Sequence, residues 1–369
     1  MVRRLLRGNL CWLAALPLLA GCGGESRGAL SAGAGHAGVK GTGGDAGGGE
    51  GTAGGVNGAA GGVNGAAGGV NGAAGGVNGA GEGMVGAAGE CGKAVAPPAF
   101  ATWPMPNPMA SGLPNPASYD TTHPGVVLDD TTGLMWEAAP GTAMLSAQDA
   151  AKYCSDLRLD DRCDWRMPTR IELVSLVDFT RRDPALDPAL PTTTGDFLTT
   201  STVKDFRWRV GSDGATRVLS ATLSTMARVR CVRTHVSHPA AEPRYTFAGA
   251  APDDSVTDRG TGLTWQRRPS TETYTFAEAS GYCAGLTSGG GGFRVPSMKE
   301  LQTVLDEQAP SYIDAEVFPD FPTTMNPTFW TSTVSARGPE NAWFVRGGST
   351  LNVAADAGVN AKFYVRCVK

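Results

Sequence analysis

The sequence has no excess of basic residues: 31 Lys and Arg stand against 35 Asp and Glu, a formal net charge of -4. That excludes a nucleic-acid protein relying on bulk positive charge, and the charge is too small to steer any partner strongly. Apolar runs of membrane-spanning length are missing too, since the stretch from Leu10 to Leu19 is too short to cross a bilayer comfortably. Close cysteine pairs and Cys/His clusters are absent, which argues against a zinc site. Between residue 23 and about residue 98 there are almost no aromatic or large aliphatic side chains. Such a stretch cannot bury enough apolar surface to offset its conformational entropy, so a core can form only in the later part of the chain.

The N-terminus reads as an export signal over residues 1–21. Arg3, Arg4 and Arg7 form a positive region ahead of the short apolar run. The run closes on Leu19-Ala20-Gly21-Cys22, which resembles the bacterial lipobox, whose cysteine is acylated and becomes the first mature residue. Cys22 is therefore the expected lipidation site, and acyl chains the expected membrane anchor. Gly23 follows it, with no aspartate there to suggest inner-membrane retention; an outer-membrane or cell-surface location is expected.

Residues 22–98 read as a disordered Gly/Ala-rich tether. Gly-Gly-Val-Asn-Gly-Ala-Ala starts at Gly54, Gly61 and Gly68 and begins again at Gly75. A period of seven without an apolar seam is no coiled coil, and glycine does not fall at every third position as collagen requires. A flexible coil of about 75 residues spans roughly 45–50 Å, enough to hold a domain clear of a membrane. A Pro-rich linker is expected over residues 99–118, stiffened by Pro104, Pro106, Pro108, Pro114 and Pro116.

The remainder of the chain is a duplication. Thr132-Gly133-Leu134-Met135-Trp136 returns as Thr261-Gly262-Leu263-Thr264-Trp265, and Tyr153-Cys154 as Tyr282-Cys283. Trp165-Arg166-Met167-Pro168-Thr169 returns as Phe293-Arg294-Val295-Pro296-Ser297, and Thr200-Ser201-Thr202-Val203 as Thr331-Ser332-Thr333-Val334. Val229-Arg230-Cys231-Val232 closes the series as Val365-Arg366-Cys367-Val368. The offset drifts only between 128 and 136. Two domains of one α+β fold are expected, at 119–236 and 243–369, each with two helices and antiparallel strands. Helices should start at Ser146 and Thr275, with Asp149 and Glu278 completing capping boxes, and at Thr169 and Ser297, with Glu172 and Glu300. Trp136 and Trp265 end alternating strands and are expected in the core.

The cysteines fit this scheme. With Cys11 removed and Cys22 acylated, Cys154 with Cys231 and Cys283 with Cys367 occupy matching places, tying the first helix to the last strand. Cys91 and Cys163 have no repeat counterparts and pair by elimination. An exported protein is in a compartment where such bridges persist.

Taken in order, these motifs resemble the Lcl (Legionella collagen-like) C-terminal domain family, over about 230 residues in two copies, most specifically at Trp165-Arg-Met-Pro-Thr-Arg-Ile-Glu-Leu173. The resemblance implies two tandem C-type-lectin-like domains on an exported bacterial protein, and, from the namesake adhesin, glycosaminoglycan binding and surface attachment. Two departures stand out. The spacer is not collagen, and no Glu-Pro-Asn or Gln-Pro-Asp triplet is present to coordinate calcium and sugar.

No catalytic constellation is visible. His36 lies in the tether, and His123, His235 and His238 lie at or beyond the repeat edges, so no matched acid–base pair exists. Asp129-Asp130 and Asp160-Asp161 read as turn formers or as calcium ligands. Arg166 and Arg294 either pair with an internal carboxylate or hold an anionic sugar. Trp208, Trp330 and Trp343 are core or sugar-stacking platforms. Residues 126–234 carry 14 basic against 15 acidic side chains, so polyanion binding would need a local cluster, for which Arg207, Arg209, Arg217, Arg228 and Arg230 are candidates. The expected role is non-catalytic, without metal or cofactor: a surface-displayed adhesion lipoprotein recognising polysaccharide or matrix glycan. The alternatives are a structural envelope lipoprotein packing against a partner protein, and an uncharacterised enzyme on a lectin-like fold.

Overall fold

Short alternating strands and hydroxyl-capped helices, each set made twice, account for most of the architecture. The computed structural model describes residues 94–192, 194–220, 226–248, 255–307, 313–322, 324, 326–347 and 354–369. The export signal, Cys22, Cys91 and nearly all of the expected tether lie outside the described residues. No helix of the described residues is long and apolar enough to cross a membrane.

In the first copy β1 (Tyr119–Asp120), β2 (Val126–Asp129) and β3 (Leu134–Glu137) pair antiparallel, and β7 (Val232–Thr234) adds to the other edge of β3. The β2–β3 turn is set locally. Asp129 accepts the N–H groups of Thr131 and Thr132 at 3.0 and 3.2 Å, and Gly133 supplies a φ of 67° that a side chain would resist. The acidic pair here therefore builds a turn. Asp160 and Asp161 also take positive φ, 51° and 54°, and the described residues hold no group of three or more His, Cys, Asp or Glu that could hold a metal ion.

Between these strands come α1 (Ala147–Asp156), α2 (Arg170–Leu176) and a second antiparallel sheet of β4 (Asp196–Val203), β5 (Phe206–Gly211) and β6 (Thr216–Ser220). The second copy repeats the plan with β8 (Tyr245–Ala248), β9 (Ser255–Asp258), β10 (Thr264–Gln266), α3 (Phe276–Ala284) and α4 (Met298–Gln302). It ends with β11 (Thr328–Val334), β12 (Asn341–Arg346) and β13 (Ala354–Gly358). Val368 bridges Trp265 and Arg294, as Val232 meets Trp136 and Arg166 in the first copy. The class is α+β, with few helices and several small antiparallel sheets.

Three of the four helix starts are full capping boxes, at Thr169, Thr275 and Ser297. The fourth corrects the expectation. Ser146 accepts from Asp149 N, but the Asp149 carboxylate bonds the serine hydroxyl at 2.7 Å instead of returning to the cap N–H. Aspartate is one methylene shorter than glutamate, and the reciprocal bond is not made.

The disulfides Cys154–Cys231 and Cys283–Cys367 are both formed. Each sits in a cluster of its own copy, with Trp165, Met167 and Val229 in the first and Phe293, Trp330 and Val365 in the second. Cys163 is also disulfide-bonded, and its partner lies outside the described residues.

A third cluster belongs to both copies at once. Trp136, Ile171, Val174 and Phe179 pack there with Trp265, Met298, Leu301 and Trp343. The described residues accordingly fall in one compact unit, where the sequence suggested two separate globules. The stretch expected as a spacer-like linker takes part: Ala101, Trp103, Met105 and Asn107 are buried at 1%, 3%, 2% and 1% exposure. Pro104 and Pro106 hold this strap extended, and Ala101, Trp103, Met105 and Asn107 turn to the core, with Pro104 only half-buried and Pro106 buried beside them. Asn107 fixes the strap to the second copy by accepting from Ser297 Oγ at 3.0 Å.

Candidate functional site

The repeated arginine of the Trp-Arg-x-Pro segment is spent internally. Arg166 forks onto Glu172 at 2.8 and 2.6 Å, and Arg294 onto Glu300 at 2.7 Å for both bonds. The same carboxylates close the capping boxes, accepting Thr169 N and Ser297 N at 2.8 Å. Glu172 and Glu300 are 0% and 2% exposed. A bidentate pair around a buried carboxylate leaves no fork for a ligand, so the anion-binding reading of Arg166 and Arg294 is corrected to a structural one. The sequence spacing now has its reason: the Glu must be the third residue of the helix, and the Arg must stand on the strand just before the proline.

The aromatic candidates are core residues. Trp208, Trp330 and Trp343 are 2%, 0% and 8% exposed, and only the edge of Trp343 reaches a cleft. Trp330 Nε1 donates to Tyr274 O at 2.8 Å and Trp343 Nε1 to Phe179 O at 2.9 Å. Of the suggested arginine cluster, Arg207 and Arg209 stand on β5 and Arg217 on β6, with Arg209 opposite Arg217, but the side chains are engaged internally. Arg230 is buried and donates to the carbonyls of Glu137, Ala138 and Pro191. Arg207 is taken up by Thr199 O, Arg209 by Met226 O, and Arg228 by Thr194 O. Of these five, Arg217 lines a cleft.

Another matched pair shows how far the two copies agree. Glu137 accepts from Tyr153 OH and Cys231 N at 2.5 and 3.1 Å. At the equivalent place, Gln266 donates to Tyr282 OH at 2.8 Å and accepts Cys367 N at 3.1 Å. Burial pushes the Glu137 carboxyl above its ordinary pKa, against the opposing effect of those hydrogen bonds and Arg230.

The copies meet through α2 and α4, and each sends one cation across. Arg170 from α2 bonds Glu307, Gln302 Oε1 at 3.0 Å and Gln302 O at 3.3 Å. Lys299 from α4 donates to Ser175 O at 2.7 Å and to Pro106 O of the strap at 2.8 Å. Full burial drives the Lys299 ammonium down to about 8, although Asp129, Asp178 and Asp187 pull the other way. In the repeat alignment Arg170 corresponds to Met298 and Lys299 to Ile171. The exchange is thus reciprocal in role without being symmetric in position.

Beside this seam an open cleft of about 300 Å³ lies between the copies. The first copy contributes Arg181, Arg182, Asp183, Asp213 and Arg217; the second contributes Ser335, Arg337 and Asp356, with Trp343 between them. Arg217 bonds Asp196 at 3.0 Å and also Asp213. Burial opposes ionisation of Asp213, but the bonds from Arg217 and from Ala215 N outweigh it and hold its carboxyl below the ordinary value. Asp356 accepts from Ser335 Oγ at 2.7 Å and from Arg337 Nε at 3.2 Å. Sequence reasoning missed Arg181, Arg182 and Arg337. One signal was available: at the offset of 128 that aligns Glu172 with Glu300, Arg181 and Arg182 fall on Ala309 and Pro310, so the two sequences differ there.

No curated protein matches the chain. A family model does, in two tandem stretches, residues 125–233 and 254–369, which take in the capped helices, the paired arginines and both disulfides. Together these stretches cover more than half of the chain, and the protein belongs to the Lcl C-terminal domain family, of which it carries two copies.

Proposed function

We propose that this protein is a non-catalytic binding lipoprotein, displayed on the outer membrane or cell surface and recognising polysaccharide or matrix glycan. The observation that carries the reading is the cleft between the copies: it is polar and open, and it is built from both repeats, whereas the repeated motif side chains are consumed in internal bonds. Cys22 would carry the lipid, the Gly-rich stretch would act as the spacer, and the fused copies would form the binding head. Two chains bound to one polymer would gain avidity, because the second contact forms at high effective concentration.

Within this reading each copy has a C-type-lectin-like fold. What supports that assignment is the meeting of first and last strands, in one sheet in the first copy and through the Trp265–Val368 bridge in the second, with a disulfide from the first helix to the C-terminal segment of each. Calcium is not invoked, because the aspartate pairs serve turns.

A glycan array probed with the folded protein, with and without chelator and at two salt concentrations, tests the proposal. Saccharide hits that survive chelation support it. A silent array, together with co-purification of one envelope protein, would replace it with the structural-lipoprotein reading.

A further inference from the structure

We propose that Thr169, the N-cap residue of α2, lines a docking cleft for an asparagine side chain, and that the Val-Asn-Gly units of this chain's own N-terminal stretch supply it. The inference goes beyond ligand recognition by the head and does not depend on it.

The second copy already makes the bond in question. Ser297 Oγ accepts Glu300 N at 3.2 Å and donates to Asn107 Oδ1 of the strap at 3.0 Å. Asn107 Nδ2 in turn donates to Pro114 O at 2.8 Å. The first copy has the same framework. Ser201 Oγ accepts Arg170 N at 3.0 Å, as Thr333 Oγ1 accepts Met298 N. Thr200 N bonds Pro168 O at 2.7 Å, as Ser332 N bonds Pro296 O. Thr169 Oγ1 accepts Glu172 N at 3.4 Å, yet among the described residues it donates to no acceptor, although Thr169 is only 7% exposed. Its hydroxyl keeps a spare proton where Ser297 gives its own to an asparagine. In place of a strap residue, an open cleft of about 210 Å³ adjoins Thr169, walled by Pro97, Phe100, Thr200, Ser201 and Glu307 among others.

The wall selects the group that fits. Thr169 offers its O–H to an oxygen. Glu307 commits Oε1 to Arg170, which leaves Oε2 to accept, and Asp306 stands beside it. A primary carboxamide answers both, with its oxygen toward the hydroxyl and its N–H groups toward the carboxylate. A carboxylate in the same place would meet like charge.

Position selects the source. Between residue 23 and the strap the sequence has four asparagines, Asn57, Asn64, Asn71 and Asn78, each in Val-Asn-Gly, and no glutamine. The described residues begin at Ala94, close to Pro97 on the cleft wall, so the N-terminal stretch ends beside the cleft. Asn78 is about twenty residues from Pro97, and closure entropy grows slowly with length, so the more distant units compete with it. Docking of Asn78 or of Asn57 would leave different lengths of spacer free, and the cleft would set how far the head stands from its anchor.

The test uses the full chain and compares the parent with the variant N57D/N64D/N71D/N78D, which leaves every described residue unchanged. The amide proton–nitrogen signals of Arg170, Ser201 and Thr202 should differ between the two. Adding the peptide Gly-Gly-Val-Asn-Gly-Ala-Ala to the variant should move these signals toward their parent positions, with half-saturation at about millimolar peptide, the effective concentration that a short flexible linker provides. The counterpart peptide with aspartate should leave them in place. T169D keeps an N-cap acceptor but has no proton to give; added to the quadruple variant, it should abolish the response to the asparagine peptide, with thermal unfolding to check the fold. Identical signals in the parent and the quadruple variant, or equal responses to both peptides, would overturn the proposal. A difference that vanishes on dilution would also overturn it, because neighbouring chains would then supply the asparagine.

Discussion

Lys299 of the second copy donates to the carbonyl of Ser175 in the first at 2.7 Å, and to Pro106 of the strap at 2.8 Å. One buried ammonium thus joins three segments that the sequence presents as separate. The cation is costly to bury unless its donors are satisfied, and here two carbonyls that would otherwise lose water receive them.

That arrangement predicts a pH dependence. The Lys299 ammonium has a folded pKa of about 8 against an ordinary value of 10.5. Between those values the unfolded chain holds the proton and the folded one releases it, so stability should rise with pH across that interval. Chemical denaturation at pH values from about 7.5 to about 9.5 should show this rise in the parent and a flatter curve in K299M. A parent curve that falls over the same range would contradict the burial of this charge.

Glu137 gives the opposite sign. Burial raises its folded pKa, so its contribution to stability is full below the ordinary carboxyl value and is lost as pH rises through the folded one. The second copy already uses the isosteric amide, Gln266, on the same partners. E137Q should therefore match or exceed the parent in melting temperature at neutral pH, while E137A should melt lower. A marked loss in E137Q would indicate that the ionised carboxylate is needed.

The paired arginines should matter for stability. Removing Arg166 leaves the buried Glu172 carboxylate uncompensated, a change that costs about 3–5 kcal/mol in comparable pairs. The Arg166 side chain is 10% exposed and that of Arg294 is 28%, so R166A should lose more in urea unfolding than R294A. Glycan binding measured on the folded fraction should be unchanged in both.

Peptide mapping of the unreduced protein should return Cys154 joined to Cys231 and Cys283 joined to Cys367. Cys163 should appear with Cys91. Removing Cys154 and Cys231 together should cost about 4–5 kcal/mol by the loop-closure estimate for roughly 80 residues.

Much of each copy was legible in the sequence, because its signals are local. Hydroxyl caps with a glutamate three residues on marked α2, α3 and α4, and matched cysteines marked the bridges. The core positions of Trp136 and Trp265 followed from strand alternation, and both are 0% exposed. The features that stayed hidden depend on partners distant in the chain. Arg166 and a ligand-binding arginine look alike until Glu172 is seen forked onto it. Ala101, Trp103, Met105 and Asn107 do alternate, but interleaved prolines read first as a spacer. Arg170 and Lys299 stand on apolar helix faces, and nothing local says that each reaches into the other copy. Arg181, Arg182 and Arg337 of the cleft come from loops, where a repeat comparison is least informative.

Strap and repeats share one hydrophobic core, which predicts a single cooperative body, and scanning calorimetry of residues 94–369, with and without W103A, tests this most directly. One transition is predicted, with calorimetric and van't Hoff enthalpies in agreement. W103A should shift it down as a whole, with a loss of about 3–5 kcal/mol. Two independent transitions, with W103A moving only one or neither, would contradict a single body.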